Sequence, residues 1–360
     1  MEMGFQWYSQ KNKYFSDRES DRCVNAGELA RQRWNRIQHP LHGLGLLEDA
    51  IVQIAALTQS ADICLDKKAV VIFCADNGVT QEGVTQTDSS VTGKVAGGFA
   101  RGTTPACRMA ITAGAAVFPV DMGMKDYPDT PGILNRRIGN GTANILHGPA
   151  MTREDAEKAI STGIDLAGEL NEQGFRILGV GEMGIGNTTT ASACACVLLG
   201  QDPERMTGKG AGLSEQGYLH KIEVIREAIR RNGPDWTDTV EVLRRVGGFD
   251  LLGMCGMFLG GYIHRIPLLI DGFASSVAAL AAVQICPDCS GAMIASHLSS
   301  EPAGALVLEA LGKEPLITGK LHLGEGTGAV LAMPMLDMAL AVYRDSATFE
   351  EGGVPAYRPL

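Results

Sequence analysis

Two glutamates lie inside glycine-rich turns, and one of them, Glu325, could be held there away from water. Glu325 stands between Gly324 and Gly326 and precedes an apolar helical stretch, and Glu182 follows Gly181 at the end of a short apolar run. Loss of hydration raises the pKa of a carboxyl group, which suits it to general-base catalysis near neutral pH. The alternative for Glu325 is a residue of a first helical turn, favoured there by the helix dipole. The spacing alone favours neither interpretation.

Two helix starts have the form of anion-binding turns. In the first, the helix after GVGEMGIG is capped by Asn187 or Thr188, and its free amides favour an anion. In the second, the glycine-rich turn at 208–212 opens another helix, and Lys209 and Lys221 are candidate charge partners for a phosphate. That turn lacks the spacing of a P-loop. A solvated helix lysine is the alternative for Lys221.

The first of these turns also satisfies the G-x-G-x-x-G pattern of dinucleotide-binding folds through Gly179, Gly181 and Gly184. An NAD-dependent oxidoreductase is therefore an alternative function. Two features count against it. Glu182 lies inside the turn, where it would repel a pyrophosphate, and Asp202 follows a helix instead of ending a second strand.

Apolar runs alternate with helical stretches through the middle of the chain. The runs end at Asp76, Asp121, Glu182 and Asp271, and the helical stretches are 152–173, 188–199, 214–231 and 274–284. This alternation is typical of a parallel sheet with both faces covered, whose carboxyl edge carries the ligand site. We predict a mostly parallel, Rossmann-like α/β sheet that gathers these acids near one crevice. A turn or cap is the alternative for each acid.

The two ends of the chain have helical character without matching strands. We expect residues 23–62 and 329–360 to form a small helical subdomain beside an α/β catalytic domain at 63–328, with an irregular arm at 1–22.

The composition of the chain argues against several classes of protein. The 360 residues carry a net charge of −10, which argues against a nucleic-acid binder. The apolar stretches are interrupted, so no membrane span is predicted. Cys286 and Cys289 form an isolated C-x-x-C, which is weak evidence for zinc, and the dispersed histidines are expected to be packing residues. Reduced thiols, acidity and the absence of a visible targeting signal favour the cytoplasm.

Seven stretches together carry a recognisable pattern. They are CADNGVTQEGV (74–84), GTANILHGPAMTREDA (141–156), GVGEMGIGNTTTASA (179–193), GKGAG (208–212), GGFDLLGMCGMFLGGYIHRIPLLIDGF (247–273), SHLSSEPAG (296–304) and LHLGEGTGAVLAMPML (321–336). In sequence and in order they resemble the motifs of the nicotinate-nucleotide–dimethylbenzimidazole phosphoribosyltransferase family of cobalamin nucleotide-loop assembly. The resemblance covers most of the chain from about residue 24 onward.

The resemblance implies a reaction and the roles of particular residues. Nicotinate mononucleotide would donate its phosphoribosyl group to a nitrogen of 5,6-dimethylbenzimidazole, giving α-ribazole 5′-phosphate and nicotinate with inversion at C1′. Glu325 would be the general base, and Glu182 a second carboxylate beside the reacting centre. The remaining predicted site residues are Gly184, Gly210, Lys221, Asn187 and Asp271 for phosphate and ribose, and Asp88 and Leu323 for the acceptor pocket. The resemblance further implies a homodimer, and neither a cofactor nor a metal is expected.

The chain departs from the family pattern around the expected acceptor pocket. The segments QHPLHGLGLLE (38–48), TQTDSSVT (85–92) and GGFARGTTPACRMA (97–110) differ from the usual family sequences. Other benzimidazoles, purines and phenols therefore remain candidate acceptors, although a phenol with a pKa near 10 is harder for a carboxylate to deprotonate. A subunit that needs a paralogous partner is a further alternative.

Overall fold

The computed structural model describes residues 20–357 except 234, 235 and 237. Most of the predicted arm at 1–22 lies outside these residues, and the first helix that the structure describes begins at Ser20. The helices are α1 (Ser20–Arg36), α2 (Leu46–Thr58), α3 (Ser90–Ala100), α4 (Pro105–Ala113), α5 (Arg153–Glu172), α6 (Asn187–Leu199), α7 (Pro203–Met206), α8 (Glu215–Asn232), α9 (Thr239–Val246), α10 (Phe249–Ile263), α11 (Phe273–Ile285), α12 (Gly304–Ala310) and α13 (Thr327–Asp345).

A six-stranded parallel sheet forms the centre of the protein. Its strands are β1 (Lys68–Ala75), β2 (Ala115–Gly123), β3 (Leu134–Asn135), β4 (Ile177–Met183), β5 (Leu268–Ile270) and β6 (Met293–Ala295). A separate parallel pair consists of β7 (His297–Ser299) and β8 (Ile317–Leu321). Short 3₁₀ helices span Gly78–Glu82 and Pro287–Ala292. The predicted α/β, Rossmann-like sheet is confirmed.

The strand order of the sheet is β3-β2-β1-β4-β5-β6. The direction of winding therefore reverses between β1 and β4, and parallel sheets bind ligands at such a switch point, outside the carboxyl ends of the strands. Asp76 and Asn77 follow β1 directly, and Glu182 lies near the end of β4. The sheet order thus places these polar side chains beside the switch point.

Strand β1 explains why the apolar runs are continuous in sequence. Successive side chains point to opposite faces. Val71 and Phe73 pack into the core beneath helices that include α5, α6 and α10, whereas Val70 and Ile72 pack against α3 and α4. Both faces of the strand are buried after Lys68, so every position from Ala69 to Ala75 is apolar.

The helical segments near the two ends of the chain pack together. Trp34 of α1, Ile51 of α2 and Tyr343 of α13 share one apolar cluster, which also contains Ile177 and Leu269 of the sheet. The predicted division into a subdomain and a catalytic domain stays a prediction.

Helices α5 and α10 approach each other closely because glycines face the neighbouring backbone. A Cβ added at Gly163 would lie 2.1 Å from the Gly253 carbonyl oxygen, and one at Gly256 would lie 1.9 Å from the Ile160 carbonyl oxygen. A side chain at either position would force the helices apart. Helix α10 is therefore held firmly under the sheet, with Asp250 in its first turn.

Candidate active site

A cleft opens at the carboxyl edge of the sheet, where parallel α/β sheets bind their ligands. Its wall includes four of the predicted site residues together with Thr188 and Gly324. The four are Glu182, Gly210, Asp271 and Leu323. The structure therefore brings the three glycine-rich turns to one place.

Lys221 lies against the part of the cleft wall formed by Thr188 and is 1% exposed. Its Nζ donates to the Thr188 Oγ1 at 2.9 Å and to the Gly208 carbonyl oxygen at 3.2 Å. An ammonium group has three hydrogens, so these two bonds to described residues leave one for a ligand. Gly210 is left-handed, with φ 53°, and a Cβ there would lie 3.6 Å from the Lys221 Nζ. The missing side chain leaves room for an anion beside the ammonium.

Burial lowers the pKa of Lys221 to about 8, and the negative charge of Glu301 opposes part of this decrease. Lys209, the other candidate, pairs instead with Glu215 at 2.7 Å on the surface. The buried lysine is thus the better candidate for an anion that must itself lose water on binding.

The pH dependence of phosphate binding follows from this pKa. Below about pH 8 the free protein carries Lys221 as the ammonium, and above it the charge is lost. We expect the Kd of ribose 5-phosphate, which lacks the cationic ring of nicotinate mononucleotide, to rise about tenfold from pH 7 to pH 9. Calorimetry at both pH values measures this. A Lys221→Met variant should lose the pH dependence, and a flat profile in the wild-type protein would contradict the assignment.

Glu182 is largely buried at the floor of the cleft, and its Oε2 accepts a hydrogen bond from the Asn187 side-chain amide. Burial raises the pKa of Glu182 to about 8; the Asn187 hydrogen bond opposes the rise, and the charges of Asp250, Asp271 and Glu325 add to it. A cationic ligand would favour the ionised form of Glu182.

Glu325 occupies a left-handed backbone conformation with φ 60°, which is uncommon for a residue with a side chain. The Ala106 amide, in the first turn of α4, donates to its carboxylate, and its Oε2 is buried without a hydrogen-bond partner among the described residues. Burial raises the pKa of Glu325, and the Ala106 amide opposes this. Glu325 directly follows Gly324 of the cleft wall, so one carboxylate oxygen is free beside the cleft and the α4 helix start.

Asp271 fixes the turn that carries Glu325. Its Oδ2 accepts the Gly326 amide at 3.0 Å, and its Oδ1 accepts the amides of Gly328 at 2.7 Å and Ala329 at 3.2 Å. The carboxylate therefore caps the start of α13, where the helix dipole favours a negative charge. Its predicted contact with ribose stays a prediction, because these bonds concern the turn alone.

Asp271→Asn is expected to lower the free energy of unfolding by about 1–3 kcal/mol. An asparagine amide in place of one oxygen would face a buried backbone donor and leave it unpaired. Denaturant unfolding measures the change, with the exposed Asp288→Asn as the matched control. An unchanged unfolding midpoint would mean that the cap does not hold the turn.

The glycines of the dinucleotide-like pattern pack against protein backbone and side chains. A Cβ at Gly181 would lie 2.5 Å from the Gly326 amide nitrogen, and one at Gly179 would lie 2.8 Å from the Ala329 Cβ. A Cβ at Gly184 would lie 2.5 Å from the Ala75 carbonyl oxygen. These glycines serve close packing of the turns, so the NAD-dependent oxidoreductase alternative is not favoured.

The remaining predicted site residues contact other protein groups in the structure. Asn187 begins α6 and bonds Glu182 and Asp250. Gly184 lies beside the same Asp250 carboxylate. Asp88 accepts the Ser90 amide at 2.8 Å at the start of α3. Their predicted substrate contacts stay predictions.

Sequence reasoning missed several side chains around the cleft. Thr188 was predicted only as a helix cap, but its hydroxyl oxygen accepts a hydrogen bond from the Lys221 ammonium group. His297 was expected to be a packing residue; it lines the cleft, and its Nδ1 lies 4.0 Å from the Asp271 Oδ1. Asp250 was not singled out. Its position in GGFD, after two glycines and before an apolar helix, was the available signal for a buried acid.

Among the described residues, no helix combines the length and the apolar character needed to cross a membrane. The same residues also contain no group of three or more His, Cys, Asp or Glu side chains that could hold a metal ion.

Comparisons with known proteins agree with this geometry. A phosphoribosyltransferase family model matches residues 23–354. The chain is 45% identical over 337 residues to the nicotinate-nucleotide–dimethylbenzimidazole phosphoribosyltransferase of Ruminiclostridium cellulolyticum, covering 94% of this chain and 96% of that protein. It is 42% identical over 317 residues to the enzyme of the same name from an Escherichia coli strain, covering 88% of each chain.

A solved structure is similar over the same length. The crystal structure of CobT from Thermus thermophilus matches with a TM-score of 0.88 and 40% sequence identity, covering 92% of this chain and 100% of that one. The motifs, the sheet and the cleft therefore lead to one conclusion: the chain belongs to the nicotinate-nucleotide–dimethylbenzimidazole phosphoribosyltransferase family.

Proposed function

We propose that this enzyme transfers the 5-phosphoribosyl group of nicotinate mononucleotide to a nitrogen of 5,6-dimethylbenzimidazole, or of a related aromatic base, in the activation of the cobalamin lower ligand. The observation that carries the proposal is one cleft that has a buried ammonium group against its wall at Thr188 and poorly hydrated carboxylates in or beside its wall at Glu182 and Glu325. The ammonium group can bind a phosphate, and the carboxylates can stabilise a cationic ribosyl centre.

The donor phosphate is assigned to Lys221, Thr188 and the Gly210 turn. The third hydrogen of the Lys221 ammonium and the space beside Gly210 are available to phosphate oxygens. Glu182, across the cleft, then lies near the ribose. As the bond from C1′ to nicotinate breaks, the ribosyl group develops positive charge, which the Glu182 carboxylate stabilises.

Glu325 acts as the general base. Its Oε2, unpaired among the described residues, removes the proton from one azole nitrogen, and the second nitrogen attacks C1′ from the face opposite nicotinate. The electron pair of the breaking bond returns to the pyridinium nitrogen, so nicotinate leaves without needing a proton. The product is α-ribazole 5′-phosphate, inverted at C1′.

The acceptor is assigned to the side of the cleft near α4. The Ala106 amide contacts Glu325 from the segment 97–110, which departs from the family pattern. Asp88 and Leu323 are proposed to border this pocket, and Leu323 is 51% exposed at the cleft. The identity of the acceptor therefore depends on residues that the family motifs do not fix.

An acceptor panel tests the function. Purified protein alone is incubated with nicotinate mononucleotide and one of several benzimidazoles, purines or phenols, and the products are identified by mass spectrometry. We expect ribosyl-phosphate adducts of benzimidazoles and release of nicotinate. No adduct with any acceptor would contradict the function, and activity only after adding a paralogous subunit would favour that alternative.

We also propose a cytoplasmic homodimer that does not bind nucleic acid. Ile111 of α4 and Met338 of α13 are 67% and 64% exposed, and these two helices pack together, which supports an interface between copies. Cys74, Cys107 and Cys255 are free thiols, which suits a reducing compartment. The net charge of −10 disfavours nucleic acid. Sedimentation equilibrium tests the dimer.

A further inference from the structure

A buried amide joins Glu182 to a second carboxylate that does not line the cleft. The side-chain nitrogen of Asn187 donates one hydrogen to the Glu182 Oε2 and the other to the Asp250 Oδ2, the latter at 3.0 Å. Asn187 is 4% exposed and Asp250 is fully buried. The two acids are therefore linked through one planar group that has no further hydrogen to donate.

A further hydrogen bond and close packing hold the Asp250 carboxylate in this bridge. The Leu251 amide donates to its Oδ1 at 3.0 Å. A Cβ at Gly248 would lie 2.5 Å from the Oδ1, and one at Gly184 would lie 2.7 Å from the Oδ2. The close contact of α10 with α5 holds the helix from which this carboxylate projects. The bridge is therefore a rigid support behind the Glu182 side chain.

The bridge also sets the charge around Glu182. Burial raises the pKa of Asp250 to about 6, while hydrogen bonds from Asn187, Leu251 and Asn77 oppose the rise, so Asp250 is ionised above that pH. The other charges that act on Glu182 are Asp271, beyond β5, and Glu325, on the turn before α13. On β1, the Cys74 thiol faces the charges of Asp121, Glu182 and Asp250.

We propose that Asp250 is a positioning residue for the transfer: through the Asn187 amide it fixes the direction of the Glu182 carboxylate toward the ribose and places a second negative charge behind it. This inference rests on the proposed role of Glu182. The paired acids stabilise the cationic ribosyl group more strongly than Glu182 could alone, because the second charge is buried and poorly screened. Asp250 itself touches neither substrate.

The first test measures Glu182 directly, without substrate. Protein carrying ¹³C-labelled glutamate carboxyl groups is titrated by NMR, and the Glu182 signal is assigned by its loss in Glu182→Gln. With one negative charge removed in Asp250→Asn, Glu182 should titrate at a clearly lower pH, while Asp288→Asn should leave it unchanged. An unshifted Glu182 titration in Asp250→Asn would overturn the inference.

The second test is a double-mutant cycle on the transfer rate. We expect Asp250→Asn alone to lower kcat about tenfold with little change in the donor KM, and to lower it much less when Glu182 is already glutamine. Losses that simply multiply would overturn the inference, because a merely structural defect does not depend on Glu182. Should Asp250→Asn fail to fold, Asn187→Ala takes its place; it removes the bridge but keeps the Asp250 charge, so Glu182 should then titrate at a higher pH, and the loss of kcat should again be smaller when Glu182 is already glutamine. An inactive wild-type protein would refute the proposed function, whereas the NMR titration still decides the coupling.

Discussion

Replacing Glu325 by glutamine is expected to lower the rate of phosphoribosyl transfer by about 10²- to 10⁴-fold. Glutamine keeps the shape of the side chain and can still accept the Ala106 amide, but it cannot take a proton from the azole. Donor affinity should change little, because the phosphate and ribose are held by other residues. The loss should therefore appear in kcat and leave the donor Kd nearly constant.

Steady-state kinetics with nicotinate mononucleotide and dimethylbenzimidazole measure this loss, and calorimetry measures the donor Kd. Glu309→Gln, an exposed glutamate of α12, is the matched control and should behave like the wild-type protein. Retention of full turnover by Glu325→Gln would remove Glu325 as the base. A large rise in the donor Kd with constant kcat would assign it to binding instead.

Replacing Lys221 by methionine is expected to weaken donor binding by about 10- to 100-fold, the usual range for losing a charge-assisted hydrogen bond. Methionine fills nearly the same volume, so the surrounding helix packing should persist. The variant also removes a buried positive charge, which is unfavourable without a bound anion. The ligand-free protein should therefore still unfold cooperatively while its donor affinity falls.

The donor Kd from calorimetry and a thermal unfolding curve decide this together. Lys209→Met is the matched control because that lysine lies on the same turn but pairs with Glu215 on the surface. We expect the control to change the Kd by less than about threefold. Equal weakening in both variants would indicate a general electrostatic effect and would argue against Lys221 as the phosphate ligand.

The sheet and its helices could be predicted because local signals agree with the final packing. The helix predicted at 152–173 is observed as Arg153–Glu172, where Thr152 and Asp155 form a capping box. The helix predicted at 214–231 is observed at Glu215–Asn232, with Ser214 as its cap. Apolar runs with both faces buried indicated the parallel strands, and strand direction then placed their ends at one edge.

The bonds within the site could not be predicted from the sequence because they join distant segments. Asn187 and Asp250 are 63 residues apart, and Asp271 accepts the Gly326 amide from 55 residues away. No local pattern shows which of several acids at a sheet edge will cap a helix and which will face a ligand. The direction of Glu325 toward α4 likewise depends on how α13 packs on α4.

The left-handed backbone at Glu325 has a consequence for attempts to make this enzyme more robust. Glycine adopts this conformation without strain, whereas a residue with a Cβ is disfavoured there by about 1 kcal/mol or more. A search that ranks substitutions by thermal tolerance alone would therefore favour glycine at position 325 and would discard the side chain that we propose as the general base. Position 325 should be held fixed in any such redesign.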